Sequence, residues 1–332
     1  MTEKLLEVDR LKTSFFTGAG EVQAVRGVSF SLHKGQVYGI VGESGSGKSV
    51  MAKSIMSLIQ RPGRIVSGTI EWRGEDLLAK KEKELQGIRG NEIALISQDP
   101  MSALNPVVRI GKQLLEVIRR HQKVGKRQAE AIAIELLRRV GISSPEERLK
   151  QYPHELSGGM KQRIMIAMSI SCQPDLLIAD EPTTALDVTI QAQILELIND
   201  LKTKENMAVM LITHDLGVVA ENCERVMVMY GGLIMEEGPV KEIFQNPKHP
   251  YTEGLLRSLP KQLNGAKERL VPIQGSPPDL LHPPQGCPFV DRCPYAMEKC
   301  KEELPSFIQV GEDRHTLCWL HEDKGKEGEH HE

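Results

Sequence analysis

The sequence is poor in three features that would narrow its role at once: aromatic rings, net charge and long apolar runs. Aromatic residues make up 4% of the 332 residues, so the chain is low in the rings that stack on the bases of single-stranded nucleic acid. Lys and Arg number 42 against 45 Asp and Glu, a net charge of −3 that provides no basic surface for DNA or lipid. The longest stretches without Asp, Glu, Lys or Arg have eleven residues, as between Arg163 and Asp175, whereas a membrane helix needs about 20 apolar residues. The composition therefore predicts no nucleic-acid partner and no membrane-spanning helix.

The composition of the amino-terminal segment predicts no secretion signal. The first ten residues, MTEKLLEVDR, carry acids and have no apolar core of the kind that directs secretion. We therefore expect a cytoplasmic protein, in which thiols stay reduced. At about 150 residues per domain, the length predicts roughly two domains.

Strands and helices alternate along most of the chain. Short β-branched and aliphatic runs predict strands at residues 5–9, 22–32 and 36–41. Apolar residues three and four apart predict helices between residues 107 and 140. Further on, apolar strands such as LLIAD and RVMVMY alternate with helices. This alternation predicts an α/β fold with a parallel sheet that is covered on both faces.

A glycine-rich loop follows the third strand and precedes a helix. Residues 42–49, GESGSGKS, fit the pattern GxxxxGK[ST] in the context that this motif requires. Glycines let backbone N–H groups point inward at a phosphate, and the helix N-terminus adds partial positive charge. Lys48 is expected to reach the β and γ phosphates of ATP, and the Ser49 hydroxyl to bind Mg²⁺. The alternative is a chance glycine-rich turn. The predicted nucleotide-binding residues here are Gly42, Ser44, Gly45, Gly47, Lys48 and Ser49.

A second chemical signal is the pair of acids that ends the strand LLIAD. Asp180 and Glu181 are adjacent, and successive strand residues point to opposite sides, so the two carboxylates can take different roles. Asp180 is expected to hold Mg²⁺, and Glu181 to polarise the attacking water. The alternative is an acidic cap where the strand runs into a loop.

Four further segments fit the same pattern. Residues 156–162, LSGGMKQ, open a helix, Gln98 follows the strand EIALIS, His214 follows the strand MAVMLIT, and Asp187 completes the segment ALD after the acidic pair. Taken alone, Ser157 could simply cap a helix. In this order and spacing the segments resemble the nucleotide-binding subunit of an ATP-binding cassette (ABC) transporter, over about residues 5–240. The resemblance implies an α/β P-loop ABC ATPase fold with a mixed sheet core and a helical subdomain at about residues 99–175.

The resemblance also implies that each ATP lies between two subunits packed head to tail. Ser157 and Gly159 of one subunit then stabilise charge on the γ-phosphate that the other subunit binds. It further implies that His214 contacts the γ-phosphate, that Gln98 senses the metal and the water, and that Asp187 bridges the two sites. Adenine is expected to stack on Phe15, with Phe16 as the alternative. The expected catalytic residues are Lys48, Gln98, Glu181 and His214, and the expected Mg²⁺ ligands are Ser49, Gln98 and Asp180.

Two more segments resemble the dipeptide and oligopeptide importers within this family. They are QDPMSALNP at residues 98–106 and NPKHPYT at residues 246–252. The C-terminal extension resembles that of these importers as well. Residues 99–125 are then expected to form a groove for a cytoplasmic coupling helix of a membrane partner. The implied partners are two integral membrane permease subunits, a second identical or homologous ATPase subunit and, indirectly, an external peptide-binding protein. The subunit would act at the cytoplasmic face of the membrane.

Two other readings stay open at this point. Nickel importers are near relatives of the peptide importers, so the sequence defines the class of transporter better than the substrate that it transports. A soluble ABC ATPase that acts on DNA or ribosomes is the other reading. Such proteins usually carry a long insertion between phosphate loop and signature, or two cassettes, whereas 108 residues separate Lys48 from Ser157 here.

Past residue 240 the composition changes. Residues 241–286 hold eight of the nineteen prolines and are expected to be a connector, residues 287–320 a cysteine-rich module, and residues 321–332 a disordered polar tail. The module's cysteines are separated by five, six and 17 residues: Cys287, Cys293, Cys300 and Cys318. The closely spaced pair usual for zinc is missing, so we expect a 4Fe–4S cluster, with zinc or free thiols as alternatives. Cys172 and Cys223 are expected in the core, and the nearby residues His282, His315 and His321 are expected to be bystanders.

Overall fold

The computed structural model describes residues 3–98, 103–183, 187–258 and 272–325, and its contacts divide the chain into two units. The first unit holds residues 3–6, Leu32–Gln36 and Trp72–Ile212. The second unit holds Glu7–Ser31, Val37–Glu71 and the chain from Thr213 onward. The strands are β1 (Lys4–Thr17), β2 (Gly20–His33), β3 (Val37–Val41), β4 (Gly63–Trp72), β5 (Glu75–Asp76), β6 (Ile93–Ile96), β7 (Leu176–Asp180), β8 (Ala208–Ile212), β9 (Arg225–Tyr230), β10 (Leu233–Pro239), β11 (Ile308–Gly311) and β12 (Arg314–Thr316). The α-helices are α1 (Lys48–Ile55), α2 (Glu82–Ile88), α3 (Ile110–Gln122), α4 (Lys126–Arg139), α5 (Pro145–Arg148), α6 (Gly158–Ser169), α7 (Val188–Glu205), α8 (Leu216–Asn222), α9 (Val240–Gln245), α10 (Pro250–Arg257) and α11 (Lys299–Glu302).

Three parallel strands form the sheet core of the first unit. β7 lies between β6 and β8, with Leu176 opposite Ile93 on one side and Ala208 on the other. Every residue of β7 and β8 is buried, as expected for apolar strands covered on both faces of a parallel sheet. Asp180 is the last residue of β7 and therefore lies where the parallel strands of this sheet end.

Helices with one apolar stripe complete the first unit. In α3 the buried positions Ile110, Leu114 and Ile118 recur every four residues, and α3 packs against α4. This is the helical periodicity that the sequence predicts over this region. Within the described residues, no helix combines the length and the apolar character that crossing a bilayer requires.

The second unit contains two sheets. In one, β2, β1 and β4 lie side by side; in the other, the order is β11, β12, β10, β9 and β3. β3 runs parallel to β9, while β9 and β10 form an antiparallel hairpin. The parallel pair leads directly into the glycine-rich loop, because that loop begins where β3 ends. Parallel and antiparallel pairings therefore both occur, as the ABC resemblance implies.

The cysteine-bearing segment belongs to the hydrophobic core of the second unit. The rings of Tyr230 and Tyr251 have centroids 4.5 Å apart, and Phe289 lies 5.4 Å from the first and 5.2 Å from the second. These rings are buried together with residues of β3, β9 and β10. The region after residue 240 thus packs on the same strands that carry the glycine-rich loop.

The edge strands β10 to β12 are a feature that the sequence pattern does not predict. β10, LIMEEGP, holds two adjacent acids, yet Glu236 is 0% exposed. Its carboxylate accepts a hydrogen bond from the Arg314 guanidinium of β12 at 2.6 Å and from the backbone N–H of His249 at 3.0 Å. A charged residue can occupy a buried strand position only when a partner compensates it, and here that partner lies 78 residues away.

This buried ion pair generates a stability prediction. Arg314→Leu leaves the carboxylate of Glu236 buried without its cation, which should lower the free energy of unfolding by about 3–5 kcal/mol. Lys301→Leu removes an exposed cation paired with Glu298 and should cost less than about 1 kcal/mol. Urea unfolding of both variants measures the difference. Equal midpoints for the two variants would contradict the assigned role of the pair.

Candidate functional site

The glycine-rich loop joins β3 to α1 within the second unit. All five residues of β3 are buried, so the loop starts from a fixed point. The helix begins at Lys48, directly after Gly47, which has a left-handed backbone with φ 103° and no side-chain cap. A helix N-terminus carries partial positive charge. The glycine-rich loop thus runs directly into a helix N-terminus, the combination that binds phosphate in loops of this kind.

Two glycines of this loop have no room for a side chain. A Cβ on Gly42, whose φ is 150°, would lie 2.1 Å from the carbonyl oxygen of Met229. A Cβ on Gly47 would lie 2.4 Å from the carbonyl oxygen of Ala24. The loop is thus held against the ends of β9 and β2, which fixes the direction of its backbone N–H groups.

The Lys48 side chain lies inside the curve of the loop. Its Nζ donates to the carbonyl oxygens of Gly42 at 2.7 Å and Glu43 at 2.9 Å, and to the Ser46 hydroxyl at 3.3 Å. The residue is only 6% exposed. The ammonium group is thus held close to the loop backbone by its own hydrogen bonds, and a bound phosphate would replace at least one of them.

At the end of β7, in the first unit, the structure brings two predicted residues together. Asp180 is 4% exposed. The next residue, Glu181, has a left-handed backbone with φ 48°, and its N–H donates to the carbonyl oxygen of Ile212 at 2.9 Å. The Gln98 side-chain amide donates to the Glu181 carboxylate at 2.9 Å. A non-glycine residue in this backbone region is strained, and such strain is concentrated at functional sites.

The LSGG segment lies at the N-terminus of α6. Ser157 caps the helix, since its hydroxyl accepts from the N–H of Met160 at 3.3 Å. A Cβ on Gly159 would lie 3.3 Å from the Ile190 side chain, and Asp187 caps α7 by accepting from the N–H of Ile190 at 2.9 Å. Ser157, Gly159 and Asp187 thus cluster around the start of α7. Ala185 and Leu186 lie outside the described residues.

Gln162 is a residue of this site whose position the motif alone does not reveal. It is 2% exposed, and its side-chain amide donates to the carbonyl oxygen of Pro182 at 2.6 Å. The bond ties α6 to the residue that follows Glu181. A polar side chain on the buried stripe of a helix is the only signal in the sequence that points to it.

His214 belongs to the second unit. The N–H of Thr213 donates to the carbonyl oxygen of Ile40 at 3.1 Å, which places His214 beside the end of β3. Asp215 then caps α8 by accepting from the N–H of Gly217 at 2.8 Å. The imidazole is exposed. The backbone on either side of His214 is fixed by the hydrogen bond of Thr213 and by the helix cap of Asp215.

The two candidate adenine-stacking rings differ in their surroundings. Phe15 is half-buried, and a Cβ on Gly63 would lie 2.6 Å from its ring. Phe16 is 37% exposed, and the guanidinium of Arg64 lies 4.1 Å from its ring centroid. Phe16 therefore presents more ring surface to solvent, although Arg64 covers one face.

The four cysteines of the C-terminal region line one small cavity. Cys287 and Cys318 are buried, Cys293 and Cys300 half-buried, and the N–H of Cys287 donates to the carbonyl oxygen of Cys300 at 2.8 Å. Burial raises the pKa of the Cys287 thiol to about 12 and that of Cys318 to about 11. The thiols of Cys287 and Cys318 are thus neutral as they stand.

His249, which the sequence analysis includes only as part of the segment NPKHPYT, also lines this cavity. Its Nδ1 accepts from the N–H of Tyr251 at 3.0 Å, while its buried Nε2 makes no hydrogen bond of ordinary geometry within the part of the chain that the structure describes. The cavity volume is about 20 Å³, enough for one water molecule. Among the described residues, no three His, Cys, Asp or Glu side chains form a group that could hold a metal ion.

The fold and the phosphate loop place the protein among the ATP-binding cassettes. A solved dimer of the cassette MJ0796 bound to ADP and Pi matches 71% of this chain and 99% of its own, with a TM-score of 0.64 and 24% identity. A likeness at that identity shows the fold, and it confirms the predicted fold class. The ABC transporter family model matches residues 25–184, and the model of the oligopeptide/dipeptide transporter C-terminal region matches residues 235–300.

Named relatives cover nearly the whole chain. The dipeptide transport ATP-binding protein DppD of Bacillus subtilis (strain 168) is 53% identical over 98% of this chain and 97% of its own. DppD of Escherichia coli (strain K12) is 50% identical over 95% of this chain and 96% of its own. The chain belongs to the ABC transporter family, in the branch of oligopeptide and dipeptide transport ATP-binding proteins. This confirms the family predicted from the sequence motifs.

The close approach at Gly42 generates a binding prediction. Gly42→Ala should weaken ATP binding by about tenfold or more, because the methyl group cannot fit against the Met229 carbonyl and the loop must shift. Gly18→Ala is the control, since no atom lies within 4 Å of its added Cβ. Titration with a fluorescent ATP analogue measures both. Wild-type affinity in a folded Gly42→Ala protein would contradict the geometry assigned to the loop.

Proposed function

We propose that this chain is the ATP-hydrolysing subunit of an ABC importer that takes up dipeptides or oligopeptides. The observation that carries the proposal is the hydrogen bond between Gln98 and Glu181 at the carboxyl end of β7. Glu181 is the carboxylate that we assign to orienting the attacking water, and Gln98 is bonded to it. Relatives named for dipeptide and oligopeptide transport support the cargo.

The phosphate loop binds the nucleotide in this proposal. Its N–H groups and the dipole of α1 surround the phosphates, Lys48 meets the β and γ phosphates, and Phe15 or Phe16 stacks on adenine. Ser49, Gln98 and Asp180 would hold Mg²⁺, whose chemistry is to neutralise charge on the phosphate oxygens. A hydroxyl, an amide oxygen and a carboxylate fit that ion, because Mg²⁺ prefers oxygen ligands.

Hydrolysis then follows from groups that are fixed in advance. Glu181 orients a water molecule and accepts its proton as the oxygen attacks the γ-phosphorus. The bond from that phosphorus to the bridging oxygen breaks, leaving ADP and phosphate. His214 contacts the γ-phosphate, and Gln98 keeps the Glu181 carboxylate in position.

A second ATPase subunit completes the site. Ser157 is exposed and Gly159 half-exposed at the N-terminus of α6, so their donors and the helix dipole are available to a γ-phosphate bound by a facing copy or homologue. Asp187, on the same surface, connects the two sites. A solved relative of the same fold is dimeric, which supports this arrangement.

The membrane partners bind the first unit in this proposal. A groove there is lined by residues of the predicted coupling segment, including Asn105, Val108, Val117 and His121. Gln113 shapes it, since its amide donates to the carbonyl oxygens of Asn105 at 3.0 Å and Val108 at 2.7 Å. Residues 99–102 lie outside the described residues. Two permease subunits would bring coupling helices to such grooves at the cytoplasmic face of the membrane, and an external binding protein would deliver the peptide.

We further propose that the four-cysteine cavity of residues 287–320 binds a 4Fe–4S cluster. Four thiols that line one cavity are the donor set that such a cluster requires, and the imidazole of His249 lies beside them. Cys287, Cys293, Cys300 and Cys318 would each supply one thiolate to the cluster. The cavity must expand and the raised thiol pKa values must fall for the cluster to be held.

The hydrolytic role of Glu181 is tested by its amide. Glu181→Gln should lower ATP turnover by on the order of 10²- to 10⁴-fold, because the amide cannot accept the proton, and should leave a persistent ATP-bound dimer. Turnover assays and size-exclusion chromatography with ATP measure the two effects. Glu196→Gln, at an exposed position of α7, is the control. Unchanged turnover in Glu181→Gln would remove the assigned role.

The cluster is tested by metal analysis of protein purified without oxygen. We expect a brown protein with about four irons per chain. Cys293→Ser should lose the colour and the iron, whereas Cys172→Ser, which lies outside the cavity, should keep both. Stoichiometric zinc without iron would overturn the cluster, and so would a colourless, metal-free protein.

A further inference from the structure

Arg292 connects the cysteine-bearing segment to the phosphate loop. It ends a short 3-10 helix, Val290–Arg292, directly before Cys293. Its Nη1 donates to the carboxylate of Glu43, the second residue of the loop, at 2.8 Å, and to the hydroxyl of Tyr230 at 3.0 Å. Arg292 and Glu43 are 249 positions apart in the chain, and both belong to the second unit.

The guanidinium is fixed from several sides. Its Nε donates to the carbonyl oxygen of Gln274 at 2.8 Å, and its Nη2 to that of Ile273 at 3.1 Å. It also lies over the rings of Tyr230 and Phe289, with centroid distances of 5.6 and 5.8 Å. The side chain is 5% exposed. An arginine held this way is a rigid donor, unlike the flexible cations of most surface pairs.

Glu43 makes hydrogen bonds through its N–H group, its carbonyl oxygen and its carboxylate. Its N–H donates to the hydroxyl of Tyr251 at 2.9 Å, its carbonyl oxygen accepts from Lys48 at 2.9 Å, and its carboxylate accepts from Arg292. Two of these partners come from the C-terminal region. The third is the lysine assigned to the phosphates, so a shift of Glu43 would also displace Lys48.

The charge of Glu43 gives the pair a second consequence. A carboxylate in the loop that binds phosphates repels them unless a cation compensates it. Arg292 provides that cation in a nearly buried place, where screening by solvent is weak. Removal of Arg292 therefore has two effects on phosphate binding: the loop loses a support, and an uncompensated negative charge is left beside the ligand.

We propose that Arg292 is a positioning residue of the ATP site, through which the C-terminal region sets the affinity of the phosphate loop for nucleotide. It acts through Glu43, by fixing that residue and by neutralising its charge. This inference rests on the proposed assignment of residues 42–49 to the phosphates.

The test compares affinities of the full-length chain for a fluorescent ADP. Arg292→Met keeps the apolar stem but removes the charge, and should weaken binding on the order of tenfold. Glu43→Gln should weaken binding by only about threefold, because the ion pair is lost but the amide oxygen can still accept from Arg292 and no uncompensated negative charge is left beside the phosphates. The double variant Arg292→Met/Glu43→Gln should regain most of the lost affinity. A merely structural role for Arg292 does not predict that rescue.

The controls separate the possible failures. Arg257→Ala, an exposed cation of α10 paired with Glu253, should bind like the wild type. If Lys48→Ala also binds like the wild type, the loop is not the phosphate site and the proposed function fails. If Lys48→Ala loses binding while Arg292→Met retains it, or if Glu43→Gln brings no rescue, only the role of Arg292 is overturned.

A fold-independent readout covers the case in which Arg292→Met does not fold. Hydrogen exchange in the Glu43→Gln protein reports on the loop directly, since the ion pair is lost while the protein core is untouched. Amides of residues 43–49 should exchange faster than in the wild type, and amides of α10 should not. Unchanged exchange in the loop would overturn the proposal.

Discussion

The structure depends on one electrostatic requirement: negative charge on a triphosphate has to be met by donors that are already in place. In the proposed mechanism, residues 42–49 meet it with backbone N–H groups and the dipole of α1. The loop is held by contacts that leave Gly42 and Gly47 no space for a side chain. Lys48 lies inside the same curve. In the proposed mechanism the remaining donors, Ser157 and Gly159, come from a facing subunit, which is why they lie exposed or half-exposed in a single chain.

The C-terminal region takes part in this requirement. Its aromatic and cysteine residues share a buried core with β3, β9 and β10, and two of its side chains, Tyr251 and Arg292, bond to Glu43 of the loop. Cys293 directly follows Arg292 in the chain. Whatever the four cysteines bind therefore lies next to the residue that we infer to position the phosphate loop, so the cysteine cavity and the ATP site belong to one packed structure.

Much of the fold and of the ATP site could be predicted, because the signals are local. Residues 42–49 combine motif, strand and helix in one stretch, and the apolar runs of β7 and β8 mark buried parallel strands. The family resemblance singled out Gln98 and Glu181 but gave them separate roles, and the hydrogen bond between them is seen only in the structure. By contrast, the sequence of β10 does not indicate a buried strand, because it contains Glu236. The arginine that compensates this charge, Arg314, is 78 residues away in the chain. Tyr251 and Arg292 reach Glu43 across more than 200 residues, and no periodicity or motif encodes such a contact.

The claim that the γ-phosphate site is shared by two subunits is tested most directly by the rate of ATP hydrolysis as a function of protein concentration. If one chain lacks half of its donors, the rate per chain rises with concentration and falls towards zero at dilutions where the subunits dissociate. A rate per chain that stays constant down to fully monomeric protein, measured beside a sedimentation analysis of the same samples, would contradict the account.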